Sequence, residues 1–467
     1  MFSRRDLLRA LGAAAVAHRL PSGLWAEELP YRPLGRTGRA VVPLALGGQA
    51  TLQYPTNYFD PPDIIVRAVE LGLNYLDTAN AYGPSQAQYG MAFDHIHLKP
   101  NDPDYNAALR ERLYIASKTG NRYSRIRSQP NAATAISDLK TTMTQMFGDG
   151  RGYVPEGAYL DCFQLHNLGS ITQVDQIYAG LERRDDPQVD PLGALAGLLD
   201  FRDGANLTGL NPEKKRWIKR IGITGHPADV LMNCMQRDQS NILETLLLPI
   251  NVNDRRYFSN HLNAVPVARA RGMAVIAIKL FGQGAMYNRP TNPTVIQTVG
   301  VPGGVAPADL IRYTLSLPGV DAAAVGIGHI NRNDLSDDQL VANIQGAVAP
   351  SASPAELLAI ESQVAQIHGT STNGGFQPAY KGLQQPTGVQ ATRDADRVII
   401  RWNTALAGDQ PIHAYQVYAG ANLVATVPFT PQTTLDPLSL TVPASAIPGD
   451  PIRVVATVNS PFPPRRR

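Results

Sequence analysis

Cysteine is almost absent: Cys162 and Cys234 are the only two in 467 residues. Two thiols exclude a disulfide scaffold and a four-thiolate metal centre, and each reads as a small buried apolar residue. Charge is sparse at 17 % and nearly balanced, with 42 Lys and Arg against 39 Asp and Glu. A net charge of +3 offers no basic field, so no nucleic-acid partner is indicated. No apolar run reaches the roughly 18 residues of a spanning helix, so no transmembrane anchor is expected. Apolar residues are nevertheless plentiful, at 43 %. That excludes an intrinsically disordered chain, and the length allows a large core divided between two or three domains.

The first thirty residues have the layout of an export signal: a charged front, an apolar stretch from Leu11 to Ala17, then small residues. Arg4 and Arg5, framed by Ser3, Asp6, Leu7 and Leu8, resemble the twin-arginine export motif. Cleavage is expected near Ala17 or Ala26, and the mature protein in the periplasm or outside the cell. The plainer alternative is an amphipathic first helix.

From residue 40 to about 370, buried-strand runs alternate with helical ones. The strand-like runs are Val41 to Gly47, Asn74 to Asp77, Leu113 to Lys118, Cys162 to Leu165, Ile218 to Thr224, Leu246 to Ile250, Val275 to Ile278 and Ala322 to Ile327. Amphipathic stretches lie between most of them, such as Asp63 to Leu71, Ala132 to Phe147, Asn260 to Gly272 and Pro307 to Leu317. Eight such units predict an α/β fold of the closed (β/α)8 TIM-barrel type, with its chemistry at the C-terminal strand ends. Two connections are longer than needed, His95 to Arg110 and Glu182 to Pro212. Each either overhangs the mouth or is a tolerated surface insertion.

Four chemically complementary residues fall at those strand ends or just after. Asp77 ends the second run, and Tyr82 lies five residues on. Lys118 ends the third run, and His166 follows the fourth. An unperturbed tyrosine titrates near 10, roughly three units above neutrality. An adjacent ammonium favours phenolate and lowers that value, while an aspartate holds the ammonium charged and in place. A histidine nearby can donate a hydrogen bond to a substrate oxygen. The set forms a general acid/base able to protonate a carbonyl as hydride reaches its carbon.

Asp77-Thr78-Ala79-x-x-Tyr82-Gly83, with Lys118 and His166 after later strands, resembles the aldo-keto reductase family. The resemblance runs from about Tyr31 to about Ala365. It implies a barrel that binds NADP(H) or NAD(H) without a Rossmann domain and interconverts a small-molecule carbonyl and alcohol. It implies Tyr82 as proton donor, Asp77 and Lys118 as its tuning pair, and His166 as the substrate-orienting group. The cofactor positions carried over are Thr224 and Gly225 after the fifth strand, and Asn251 (or Asn253) after the sixth. After the seventh they are Lys279, Phe281, Gly282 and Gly284 in a pyrophosphate-wrapping turn. After the eighth come Gly328 and Arg332, the latter being the one candidate for a 2′-phosphate. NADP and NAD both stay open. The competing reading is a non-catalytic barrel acting as a binding or regulatory subunit. No metal site is expected: His95-Ile96-His97 beside Asp94 reads as a solvated loop.

Residues 369–385 are rich in Gly, Ser, Thr, Asn, Gln and Pro and read as a linker. Beyond it, to about residue 460, short alternating strands without helices suggest a β-sandwich. The order Pro386…Val389…Val398-x-Ile400-x-Trp402…Tyr415-x-Val417-Tyr418 resembles a fibronectin type III domain, with Trp402 in its immunoglobulin-like core. Such a module implies interaction or packing, for example with the cell envelope, a glycan or its own barrel.

Overall fold

The computed structural model describes residues 29–57, 59–120, 131–252, 259–282, 305–365, 382–447, 449 and 451–458. The export segment, apart from Leu29 and Pro30, lies outside the described residues, as do Asn253, Gly284 and most of the linker.

A two-strand ribbon comes first: β1 (Arg32–Pro33) pairs antiparallel with β2 (Ala40–Val41). The barrel strands are β3 (Leu44–Gly47), β4 (Tyr75–Asp77), β5 (Tyr114–Lys118), β6 (Cys162–Leu168), β7 (Ile221–Gly225), β8 (Leu243–Pro249), β9 (Ala274–Ile278) and β10 (Ala322–Gly326). All neighbours are parallel, and β10 closes on β3 through Val325↔Leu46. Each strand overlaps one of the eight runs. Strands covered on both faces carry no polar alternation, so they stand out as apolar stretches. Several boundaries differ: β6 runs on to Leu168, β7 begins three residues later than its run and β8 three residues earlier. The first run splits because Pro43, lacking an N–H, cannot continue a ladder, so Val41 stays in the ribbon and Leu44 starts the barrel. Leu34 and Val41 pack with Tyr75, Tyr114, Ala116 and Cys162, so the ribbon plugs the N-terminal end. The C-terminal end is left as the mouth.

Helices α1 (Pro61–Glu70), α2 (Ser85–His95), α3 (Ala107–Arg112), α4 (Ala132–Met146), α5 (Ile171–Tyr178), α6 (Ala194–Asp203), α7 (Ala228–Arg237), α8 (Asn260–Ala270), α9 (Pro307–Ser316), α10 (Gln339–Val348) and α11 (Pro354–Ala365) make the outer layer. None of the described helices is long and apolar enough to cross a membrane.

The two long connections separate. His95 to Arg110 does not overhang the mouth: it follows α2 and precedes β5, which in this topology is the N-terminal end. Arg110 there binds Asp161, the residue just before β6, at 3.0 Å. Of the second connection, residues up to Gly193 adjoin the start of α4, since Ala132 N donates to Leu192 O at 2.9 Å. That start is on the mouth side. Residues beyond α6 return to the N-terminal end, where Leu160 N donates to Trp217 O at 2.8 Å.

The C-terminal residues form two three-stranded antiparallel sheets. One has the order β11 (Thr387–Asp394), β12 (Arg397–Asn403), β15 (Leu438–Pro443); the other β14 (Asn422–Pro428), β13 (Ile412–Ala419), β16 (Ile452–Val458). Ile400 and Trp402 from the first sheet and Tyr415, Val417 and Ala456 from the second share one buried cluster. These sheets sit against α7 and α8. The Asn263 carboxamide accepts from Ala407 N at 2.8 Å and donates to Ala407 O at 3.1 Å. Gln236 Nε2 donates to Gln432 O at 2.9 Å, and Leu262 packs on the sheet cluster.

Candidate active site

Asp77 closes β4 and pairs in register with Ala116 of β5, two residues before Lys118. That brings the carboxylate and the ammonium together across neighbouring strands. Lys118 Nζ donates to Asp77 Oδ2 at 2.5 Å and to Thr78 O at 2.8 Å, with both side chains buried. Gln164 Nε2 reaches Asp77 Oδ1 at 3.5 Å. Tyr82 lies in the turn between β4 and α2, which is closed by Thr78 Oγ1 on Ser85 Oγ at 2.8 Å. Gly83 after it has φ +52, and a Cβ there would come within 3.3 Å of Gln53 O, so the turn favours glycine. Lys118 Nζ stands 5.0 Å from the Tyr82 ring centroid, close enough for its charge to act on the phenol. The Tyr82 and His166 rings meet edge to face, centroids 5.5 Å apart. All four residues anticipated from sequence therefore converge.

His166 owes its place to an irregularity that the sequence does not announce. On β6, Leu165 pairs with Ile223 and Leu168 with Gly225, so one extra residue is accommodated between them. Such a bulge re-aims a side chain. Asn167 takes φ +62, and its N–H donates to Thr224 Oγ1 at 2.7 Å. Gly225 is pressed against β6, since a Cβ would sit 2.6 Å from Leu168 O. Thr224 and Gly225, anticipated as cofactor ligands, are thus seen supporting the His166 bulge. His166 is the one half-exposed residue of its strand, and its Nδ1 lies 3.0 Å from Thr119 O.

Electrostatics correct one expectation. Burial pushes the Tyr82 phenol above its ordinary value, and Lys118 pulls it only part of the way back. A depressed phenol is not what results, because desolvation of the phenolate outweighs the neighbouring charge. Burial also raises Asp77, against the pull of Lys118. Lys118 is raised: burial lowers it, but Asp77 and Tyr82 together more than offset that. Burial and the Lys118 charge hold His166 well below the usual imidazole range, so it is neutral.

Lys279 follows β9 in a positive-φ conformation (+61) and donates to Gln49 Oε1 at 3.0 Å. Burial and Lys118 pull it down to about 8. Its carbonyl accepts from Asn251 Nδ2 at 3.2 Å, and Gly282 N closes a tight turn on the same oxygen at 2.9 Å. Phe281 is buried in the barrel core. The Gly328 N–H is taken by Gln339 Oε1 at 2.6 Å. Arg332 does not present a free cation. Its guanidinium binds Asp63 at 2.5 and 3.2 Å and Glu70 at 2.6 Å. Asp63 and Glu70 are seven apart on α1, two turns along one face, a spacing visible in the sequence though nothing there says what they face. Gly284 lies outside the described residues. Cys162 and Cys234 are buried and free, each thiol pushed by burial up to about 12, so neither is a nucleophile.

A closed eight-strand parallel barrel with Asp, Tyr, Lys and His gathered at its mouth defines a class of protein, and comparison with known proteins agrees. The chain belongs to the aldo/keto reductase family, whose sequence pattern matches residues 43–299. It is similar to D-arabinose 1-dehydrogenase of Saccharomyces cerevisiae, 28 % identical over 225 residues. That match covers 46 % of this chain and 53 % of the yeast protein, so the chain spans about half the length of that curated relative. Two solved structures from Pseudomonas aeruginosa described as aldo-keto reductases are 20 % identical. They cover 69 % and 68 % of this chain and 95 % and 96 % of their own, with TM-scores of 0.41 and 0.40.

Proposed function

We propose that the chain is an oxidoreductase that interconverts a small hydroxy-carbonyl compound of the aldose type and its oxidised or reduced partner, with Tyr82 as the proton carrier and NAD(H) as the electron carrier. The observation behind this is the buried Lys118–Asp77 pair seated against the Tyr82 phenol at the strand ends. That set moves a proton and carries no electrons, so it calls for a two-electron partner. A bound nicotinamide would supply hydride transfer. Lys279 and the turn from Lys279 to Gly282 are the groups that would hold its diphosphate, and Asn251 braces that turn. A 2′-phosphate fits poorly, because Arg332 is already paired with two carboxylates. This favours NAD(H) over NADP(H).

During reduction the raised phenol stays protonated at neutral pH and gives its proton to the substrate oxygen. Lys118 then stabilises the phenolate left behind, and Asp77 keeps Lys118 charged. During oxidation the same phenolate takes the hydroxyl proton. The yeast relative is a D-arabinose dehydrogenase, which supports an aldose as substrate class. The test is nicotinamide absorbance with NADH or NAD+ against a panel of aldoses and simple aldehydes. Turnover is expected with an aldose. A protein that neither binds nicotinamide nor turns over any member is a non-catalytic binding barrel.

The reading includes export through Arg4 and Arg5, and a fibronectin-like module docked on α7 and α8 that faces outward toward an envelope or glycan partner. The sheet orders β11-β12-β15 and β14-β13-β16 around one core support the module. Replacing Arg4 and Arg5 by Lys should leave the precursor in the cytoplasm, and undiminished export would remove that part.

A further inference from the structure

The C-terminal sheets grip α8 at both of its ends, and only one of those ends belongs to the mouth. Because α8 follows β8, its first turn stands where the parallel strands end. There the Asn263 carboxamide accepts from Ala407 N at 2.8 Å and donates to Ala407 O at 3.1 Å. The same Nδ2 donates to Ser259 O at 2.8 Å, the carbonyl of the helix N-cap residue. At the floor end, Arg271 Nη1 donates to Thr433 O at 3.0 Å, and Gln236 Nε2, from the last turn of α7, to Gln432 O at 2.9 Å. The module meets these groups with a stiff edge. Thr404 Oγ1 and Ala405 N bond the Tyr415 hydroxyl at 2.8 and 3.2 Å, and Thr404 N donates to Gln432 Oε1 at 2.8 Å. Asn263, Ala405, Ala407 and Gln432 are all buried, so water does not compete for these bonds.

We propose that the C-terminal module braces the cofactor side of the mouth, with Asn263 as the positioning residue that transmits the contact. A hydrogen-bonded path leads inward from it. Asn260, in the same first turn, donates through Nδ2 to Pro249 O at 3.0 Å and so fixes the end of β8. Just beyond, Ile250 N donates to Ile278 O at 3.1 Å, and Asn251 Nδ2 to Lys279 O at 3.2 Å. Lys279 O is also the oxygen on which Gly282 N closes its turn. Ser259, Asn260, Asn263 and Asn251 are all buried. A close-packed series of this kind passes a displacement on rather than absorbing it. A turn that holds a diphosphate through its backbone binds best when it is already ordered, and the module supplies that order from outside the barrel. Asp77 and Lys118 lie on β4 and β5, which border neither β8 nor β9. The brace therefore acts on cofactor binding and not on proton transfer. The inference rests on the proposed nicotinamide-dependent function and gives the module a part in it.

Hydrogen exchange and NADH titration on the full chain test it. Leu262→Ala removes packing between α8 and the sheet cluster and leaves the hydrogen-bonded path intact, whereas Asn263→Leu removes the carboxamide itself. In both variants the amides of residues 279–282 should exchange faster than in the wild type. NADH should bind about 2- to 30-fold more weakly, the range for a network contact remote from the ligand. Turnover at saturating NADH should keep its wild-type kcat. Gln236→Leu breaks a similar carboxamide contact at the floor end, and should change neither exchange at 279–282 nor NADH affinity. Exchange there that keeps its wild-type rate in both mouth-end variants, or that rises equally in Gln236→Leu, overturns the inference and leaves the oxidoreductase reading intact. A wild type that binds no nicotinamide overturns that reading instead, and exchange at 279–282 still decides whether the module braces the turn.

Discussion

The barrel carries a buried ion pair at each end, and the two do different work. At the floor, Asp161 Oδ2 accepts from both terminal nitrogens of Arg110 at 3.0 and 3.1 Å and from Ile115 N at 3.0 Å. The guanidinium also donates to Tyr159 O at 2.7 Å and lies 3.7 Å from that ring centroid. It thus joins the plugging end of the barrel to α3. At the mouth, Lys118 and Asp77 are as deeply buried, but the ammonium lies beside the Tyr82 ring, 5.0 Å from its centroid. An arginine fork is planar, and here its donors are taken up by fixed acceptors. A lysine presents a compact charge with three donors, suited to a neighbour whose own proton comes and goes. The comparison teaches that burial alone does not mark chemistry; an adjacent group free to titrate does.

Four experiments break or sharpen that contrast, from the largest expected effect down. Tyr82→Phe removes the acidic proton and keeps the ring, so turnover should fall by roughly 10²–10⁴ while NADH affinity, read by fluorescence titration, stays put. Unchanged turnover would move the proton transfer elsewhere. Arg110→Met strands the Asp161 carboxylate and should cost about 3–5 kcal/mol in denaturant unfolding, with kcat at low temperature unaltered. A fall in kcat without loss of stability would erase the distinction between the two ends.

Lys118→Met acts at the mouth by another route. The phenol is already raised by burial, and Lys118 is what draws it back. Without Lys118 the phenol rises further. Alcohol oxidation needs phenolate, and each unit of pKa removes about tenfold of it at a given pH. The rising limb of the oxidation profile should move to more alkaline pH. Carbonyl reduction needs the protonated phenol, so its acid plateau should extend upward. A shift of either limb toward acid would contradict the assigned role of Lys118. The smallest effect concerns the margin of the mouth. Asp63→Asn with Glu70→Gln releases Arg332 and should tighten NADPH by about tenfold, about 1.4 kcal/mol, leaving NADH unchanged. Wild-type protein that already prefers NADPH would show that some other group reads the 2′-phosphate.

Much of this was legible beforehand, for definite reasons. The eight barrel strands are buried on both faces, so each appears as an apolar run, but run ends are less legible: Pro43 split the first run, and β6, β7 and β8 each shifted an end by three residues. Asp77, Tyr82, Lys118 and His166 could be found because they recur at strand ends, where a parallel barrel opens. Arg332 could not be judged, because a basic residue on a loop looks the same whether it is free or paired 262 or 269 positions away. Asn263 and Gln236 look like ordinary polar helix residues until the C-terminal sheets rest on them. Tyr82 was misjudged in one respect: adjacency to Lys118 was read from the chain, but the depth of burial that opposes it was not.

The chain by itself determined the alternation of strand and helix, the closure into eight units and the identity of the four groups at the mouth. These follow from local periodicity and from the topological rule that chemistry gathers where parallel strands end. The tertiary structure alone decided how those groups are tuned. The seat of His166 depends on a bulge at Asn167 held by a hydroxyl 57 residues further along the chain. The Tyr82 proton depends on how much water the folded mouth excludes, and the availability of the Arg332 charge on carboxylates of a helix from the other end of the barrel sequence. Hydrogen-bond direction, desolvation and charge pairing are set by distances of a few ångströms between residues far apart in the chain, and no pattern along the chain records those distances.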